Sequence, residues 1–521
     1  MLTFVNKQIK RAKDATTLKL NCLKLTSLPE DIFASSTKLE NLHIYGIELS
    51  TLPGNIFSPL INLKTLTIQN QQIISFPENI FAGLSNLQTL EIDNHQTIYL
   101  HDNVFDPLIN LKNLYIRHIK QESLPEKLFV SMTSLQTLMI CNTDLTIFPE
   151  NIFASLTNLE KLEIYNNKFI SLPENIFRSL VNLQNLYITA NKLTSLPENI
   201  FRSLVNLQNL HITGNELTSL SENIFASLIK LQTLDISSNN LYTLPKTIFA
   251  SLHSLQQLLL TGNQLTILPN DIFGSTSMTN LQVLNISFNK LTTLPENIFD
   301  NLQKLKELFL TNNHLASLSE NIFIHLINLE VLEMYINNLI CLPEKIFVSL
   351  SNLKTLDIQH THLCSLPENI FINLTNLETL VISCNKMTNL PEKIFASLTN
   401  LKTLHLNGNH LASLSEHIFD NLVNLQILQI NYNKLSGLPE DLFAFLTRIQ
   451  RVELYGNPFT SLPDNIFLPL VNVSHLSLDG YHLTKLPSSL LTCEKLNDFY
   501  YKGKKLTSDP EFKKFMQKMG C

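Results

Sequence analysis

The sequence predicts an α/β repeat solenoid in which a parallel β-sheet lines one face and irregular return segments line the other. Three observations lead there. A Phe, usually preceded by Ile, recurs at intervals of 24 residues from Phe33 to Phe467, with a single 26-residue step between Phe273 and Phe299. Between successive Phe residues lies a short stretch in which apolar and polar residues alternate. Each stretch is followed by a turn residue and, in most copies, by Pro. A helical repeat does not fit, because Leu-x-x-Leu-x-Leu followed by Asn and Pro does not sustain an apolar stripe of helical period.

Composition agrees with one continuous array. The chain has 521 residues, of which 44% are hydrophobic and only 16% charged, and its formal net charge is -6. No segment is rich enough in Gly, Ser or Pro to read as a linker. The mild negative charge argues against a nucleic-acid or membrane-surface role. The presence of 30 Phe and no Trp is explained by the fixed Phe of the repeat.

One unit shows how the elements follow from the residues. Leu162 and Ile164 flank polar Glu163, so this is a short strand with one buried face. A turn follows at Asn167. Pro173 opposes a continuing helix and favours an extended or turn backbone. Ile176, Phe177 and Leu180 then return the chain along the outer side while packing inward. A Phe at the same point of every coil predicts an aromatic spine.

The pattern LxxLxLxxNxLxxLPxxIFxxLxx resembles the 24-residue class of leucine-rich repeats. The resemblance covers residues 15–506, about 21 strand units, and so many registered copies make it specific. It implies a curved leucine-rich-repeat horseshoe, with a parallel β-sheet on the concave face and irregular or 3-10 segments on the convex face. Residues 1–14 are expected to cap the N-terminal coil. Residues 507–521 read as a capping helix, with Phe512, Phe515, Met516 and Met519 on one face. The two extra residues after Phe273 read as an insertion on the convex side.

The Asn has its own mechanism. A buried Asn side chain can both donate to and accept from the backbones of adjacent coils. Asn holds this place from Asn167 to Asn337 and from Asn385 to Asn457, with Thr361 between. The first six units carry Leu23, Ile47, Gln71, His95, Ile119 and Thr143 instead. The N-terminal third is therefore expected to be less regular and more easily opened.

No catalytic constellation emerges, and the expectation is a protein that is not an enzyme. There is no GxSxG, no HExxH and, with 12 Gly in all, little material for a phosphate-cradling loop. His360, His362, Cys364 and Cys384 cluster in neighbouring units, but their spacing is not that of a metal site. Neither a metal nor any other cofactor is expected. The N-terminus, MLTFVNKQIKRAKDATTL, lacks the apolar core of a secretory signal. No run approaches the ~18 apolar residues of a membrane span. The seven Cys are scattered, which points to a reducing, cytoplasmic compartment of the source or a host cell.

Function is sought on the concave face. The central exposed residue of each strand varies from unit to unit while the inward ones hardly change, as in a scaffold with a diversified reading surface. Exposed aromatic and Arg side chains are favoured interface anchors. Tyr115, Arg117, Met139, Tyr165, Tyr187 and His211 form one predicted partner-binding patch, and Phe309, Glu333 and Tyr335 a second. The face carries Glu91, Asp93, Glu163, Asp235, Glu333, Asp357, Glu453 and Asp479 against few bases, chiefly Lys19, Arg117 and Lys502. A phosphate backbone would be repelled, so a protein partner is expected and nucleic acid is not. The favoured function is a non-enzymatic protein-binding scaffold, with a host-directed role suggested by the family's use among microbes and viruses. Extracellular receptor-type recognition and a metal-dependent enzyme are the alternatives.

Overall fold

The computed structural model describes residues 14–21, 28–47, 49–70, 73–94, 99–274, 278–478, 482–501, 504–506 and 514. The predicted caps, 1–14 and 507–521, fall almost wholly outside these residues, as do Ser275, Thr276 and Ser277 of the predicted insertion. The chain forms two compact units, Met1–Gln264 and Leu265–Cys521.

The first unit holds eleven described strands, from Thr17–Asn21 to Gln257–Leu259. Within the unit each pairs in parallel with the strand of a neighbouring coil, without offset at their centres: Leu162 faces Leu186 and Leu186 faces Leu210. The second unit repeats this from Val283–Asn285 to Asp498–Tyr501. It ends on a feature the repeat did not foretell. Lys504–Leu506 turns back antiparallel to the last strand, with Phe499 opposite Leu506. Every strand centre expected from the sequence lies on a strand.

The core is the inward side of each coil. Leu162, Ile164, Phe177 and Leu180 are fully buried, and the same positions are buried from coil to coil. The Phe residues stack as expected. Phe177 and Phe201 have ring centroids 6.4 Å apart with an interplanar angle of 7°, and Phe347 and Phe371 are 6.3 Å apart at 13°. These are offset-stacked geometries, worth up to about 1.5 kcal/mol per pair beyond area burial.

The helical component of the α/β expectation is nearly absent. Among the described residues Ser488–Thr492 forms a 3-10 helix, and Met278 (3-10) and Lys514 (α) are single helical positions. Elsewhere the return segment is a run of separate turns. In one coil the N–H groups of Ile176, Arg178, Leu180 and Leu183 each donate to the carbonyl three residues back, namely Pro173, Asn175, Phe177 and Leu180. These bonds skip residues, so no continuous helix propagates from them.

Three ladders tie coil to coil. The buried one is the predicted Asn ladder. Asn239 donates to the carbonyls of Ile212 (2.8 Å) and Ile236 (3.1 Å) and accepts from the Leu217 N–H (3.2 Å). Thr361 fills the gap as expected, its hydroxyl 2.9 Å from the Ile358 carbonyl and 3.0 Å from Asn385 Oδ1. The two other ladders are exposed and were not foreseen. Asn158, Asn182 and Asn206, just before their strands, each donate to a carbonyl 25 residues back. On the return side Asn175 donates to Glu150 and Asn199 to Glu174, both at 2.9 Å. The recurrent Pro-Glu-Asn is thus an inter-coil hydrogen bond, not a mere turn signature.

The residue before each ladder Asn adopts a left-handed backbone. Gly214, Gly262, Gly408 and Gly456 supply it without strain, with φ between 64° and 70°. A Cβ on Gly456 would also meet the Tyr432 ring at 2.5 Å. In other coils Phe288 (φ 54°), Ile336 (φ 55°) and Tyr432 (φ 52°) are held there, at a cost of about 1–2 kcal/mol each. Strand length falls along the array, and Lys161–Tyr165 and Asn185–Thr189, in the first coils with a ladder Asn, still have 5 residues. Asn41–Ile47 has 7 residues and Thr65–Asn70 has 6, whereas strands from Asn209–His211 to Arg451–Glu453 have 3.

Candidate functional site

The open face of the sheet in the first unit brings the first predicted patch together. Tyr115 lies in register with Met139, Met139 with Glu163, Glu163 with Tyr187 and Tyr187 with His211. Arg117 and Tyr165 stand two residues beyond the strand centres and flank Cys141 in register. All six predicted residues are therefore half-buried neighbours on five adjacent strands. This follows from the pleat: residues i and i+2 share a face, and the 24-residue period keeps them aligned.

These side chains are interlocked. Arg117 forms an ion pair with Glu91, its guanidinium carbon lies 5.7 Å from the centre of the Tyr115 ring, and Nη2 contacts Met139 Sδ at 3.6 Å. The Tyr165 hydroxyl reaches the same sulfur at 3.8 Å. Lys161 pairs with Glu163 at 2.6 Å while its ammonium sits 5.5 Å from the centre of the Tyr187 ring. Tyr187 stacks on His211 at 4.7 Å and 12°, and His211 lies 3.5 Å from Asp235. On the other flank Asp93 contacts His118 at 2.7 Å. Lys161, Glu163 and Cys141 belong to this network and were missed as site residues. Their role rests on reach across coils, which the repeat pattern does not encode.

The electrostatics follow from these contacts. Hydrogen bonding to Cys141, burial and the nearby thiol push the Tyr165 phenol up to about 12, so it stays protonated and able to donate. Burial raises the Cys141 thiol, which keeps it neutral and unreactive. Burial opposes ionisation of Asp235, but hydrogen bonds with His211 and Ser237 hold its carboxyl below the usual range. Burial also works against the Arg117 charge, and Glu91 more than restores it.

The second predicted group lies in the second unit. Phe309 is in register with Glu333, and Tyr335 is two residues further on the same face. Burial and the neighbouring Asp357 and Glu307 raise the Glu333 carboxyl. His360 and Cys384 both occupy the left-handed position before the ladder, with φ of 52° and 53°. Among the described residues no group of three or more His, Cys, Asp or Glu side chains is placed to hold a metal. No helix among them is long and apolar enough to cross a membrane. Asp479 and Lys502 lie outside the described residues.

The fold and its repeat have relatives. The sequence model for leucine rich repeats matches in overlapping segments from residue 109 to 459, and that for BspA type leucine rich repeat regions matches 10–129. No curated protein matches the sequence. Among solved structures, a leucine-rich-repeat protein of Leptospira interrogans is 28% identical with a TM-score of 0.59, over 90% of this chain and 97% of that one. A chain of the Drosophila Toll–Spatzle complex is 22% identical with a TM-score of 0.70, over 93% of this chain and 60% of that one. A chain of the TLR13–ssRNA13 complex is 23% identical with a TM-score of 0.64, over 86% and 79%. The last two likenesses speak for the fold alone. On the matches that span most of its length, the chain belongs to the leucine-rich-repeat family.

Proposed function

We propose that the chain is a non-enzymatic scaffold that binds a protein partner through the open face of its first unit, centred on Tyr115, Arg117, Met139, Tyr165, Tyr187 and His211. The observation that carries this reading is the interlocked aromatic and Arg network across five strands. Side chains already fixed by contacts with one another lose little entropy on binding, and Tyr and Arg are the residues most often dominant in interfaces. The fold itself is found in neighbours complexed with protein and in one complexed with RNA. Here Arg117 and Lys161 are already paired with Glu91 and Glu163, so neither cation is free to meet a phosphate backbone. In this reading the open face is the concave side of a curved array, the protein works in the cytosol of its source or host, and its role is host-directed.

The test is affinity capture from source and host lysates, read by mass spectrometry. Wild type is compared with a Tyr115→Ala, Tyr165→Ala, Tyr187→Ala variant whose circular dichroism confirms folding. A partner retained by wild type and reduced at least tenfold with the variant is the expected result. Equal capture by both would sink the assignment of this face.

A further inference from the structure

On the open face of the second unit, three carboxylates stand together on adjacent strands. Phe309 faces Glu333 and Glu333 faces Asp357 in register, while Glu307 precedes Phe309 on the same face. Other carboxylates of this face are paired, Glu453 with Arg451 and Asp498 with Lys505. Among the described residues no ion pair reaches Glu307, Glu333 or Asp357, and His360 is the basic group whose charge acts on Asp357. Burial and mutual repulsion raise Glu333, and burial raises Asp357 although Gln359 donates to it from both backbone and side chain. A cation delivered here would relieve both.

The surroundings say which cation. Phe309 and Tyr335 border Glu333 as half-buried rings, one across the register and the other two residues on. Thr311 lies on the same face, two residues beyond Phe309. It is 2% exposed, and its hydroxyl has no hydrogen-bond partner although its N–H donates to Ser287 Oγ at 3.1 Å. Aromatic faces attract a weakly hydrated, planar cation, and paired carboxylates accept its forked N–H groups. A guanidinium meets both demands. An ammonium is more strongly hydrated and cannot stack.

We propose that this surface receives an arginine side chain from a protein partner, its guanidinium bordered by Phe309 and Tyr335 and bound by Glu333 and Asp357. The proposal rests on reading the chain as a protein-binding scaffold, but it concerns a separate surface with its own test.

That test uses the full chain carrying fluorine-labelled tyrosine, titrated with an acetylated, amidated Gly-Ser-Arg-Ser-Gly peptide and followed by fluorine NMR. The same peptide with citrulline for Arg is the neutral control. Saturable binding of the Arg peptide, with a shift of the Tyr335 signal assigned through Tyr335→Phe, is expected. Glu333→Gln should weaken binding at least tenfold, and Phe309→Ala several-fold. Glu392→Gln removes the same charge from the return side and should change it less than twofold. Thermal melting keeps misfolded variants out of the comparison, and Glu333→Gln, which removes repulsion, should melt no lower than wild type. No binding by wild type, equal binding of the citrulline peptide, or equal weakening by Glu392→Gln would each overturn the proposal. Lysate capture through the Tyr115 face is unaffected by any of these outcomes, so the two readings fail separately.

Discussion

Replacing Asn239 by Ala is expected to destabilise the first unit by roughly 3 kcal/mol, since one orphaned buried backbone N–H costs about 1–3 kcal/mol and each further hydrogen bond lost about 0.5–1.5 kcal/mol. Asn239 is 3% exposed, and its side chain serves the Ile212 and Ile236 carbonyls and the Leu217 N–H. The Ile236 carbonyl also accepts from Asn263 at 3.1 Å and the Ile212 carbonyl from Asn215 at 3.5 Å, so the Leu217 N–H is the group that the substitution orphans. A coil contacts only its neighbours, so the loss should appear first as local opening. Hydrogen exchange of the Leu217 amide should accelerate at least a hundredfold, the factor that roughly 3 kcal/mol implies. Amides in Thr89–Asn94 should hardly change. Asn239→Thr should do less damage, because Thr143 and Thr361 occupy the same place and bond the next coil's Asn. A loss below about 1 kcal/mol for Asn239→Ala would mean that water replaces the side chain, and the ladder would then not be what holds the coils in register.

The second large effect concerns the spine. Phe201 is fully buried, with its ring centroid 6.4 Å from Phe177 and 6.2 Å from Phe225. Phe201→Ala removes a ring from the middle of a stack whose neighbours are fixed by their own coils and cannot collapse into the gap. The expected cost is about 3–5 kcal/mol. Phe201→Leu retains most of the volume and should cost less than half of that. Urea denaturation of the two variants, monitored by circular dichroism, separates these outcomes. Equal losses from Ala and Leu would assign the effect to ring stacking alone rather than to packing.

Much of this architecture was legible because period and alternation are properties of composition along the chain. Leu162, Glu163 and Ile164 announce a strand with one buried face, and Phe177 announces the spine, whatever the rest of the protein does. The buried Asn ladder was legible for a similar reason: a polar residue repeated among buried Leu needs backbone partners. What stayed hidden depends on distance between coils. The Glu174–Asn199 bond looks like two ordinary surface residues until the next coil is laid beside it. The left-handed position shows itself only in Gly214, Gly262, Gly408 and Gly456. Ile336 and Phe288 have no such local preference and are forced there by the ladder that follows. The return segments, expected to be irregular or 3-10, are separate turns because their bonds skip residues. The antiparallel Lys504–Leu506 ends the last, shorter repeat, where no further coil follows to fix its pairing by periodicity.

The candidate patch was legible in its members and not in its wiring. Tyr115, Tyr165 and Tyr187 stood out as exposed aromatics on a diversified face. The Arg117–Glu91 pair and the Lys161–Tyr187 contact link residues 26 apart, which neither unit reveals when read alone. Those contacts turn scattered aromatics into one ordered surface.

The proposed function requires that this surface meet a protein. The most direct measurement places a photo-cross-linking amino acid at Tyr115 or Tyr187 on the open face, or at Arg178 or Arg202 on the return side, and irradiates each protein in source or host lysate. One recurrent protein adduct is expected from positions 115 and 187 and none from 178 and 202. Adducts from the return side alone would contradict it and move the binding surface off the sheet.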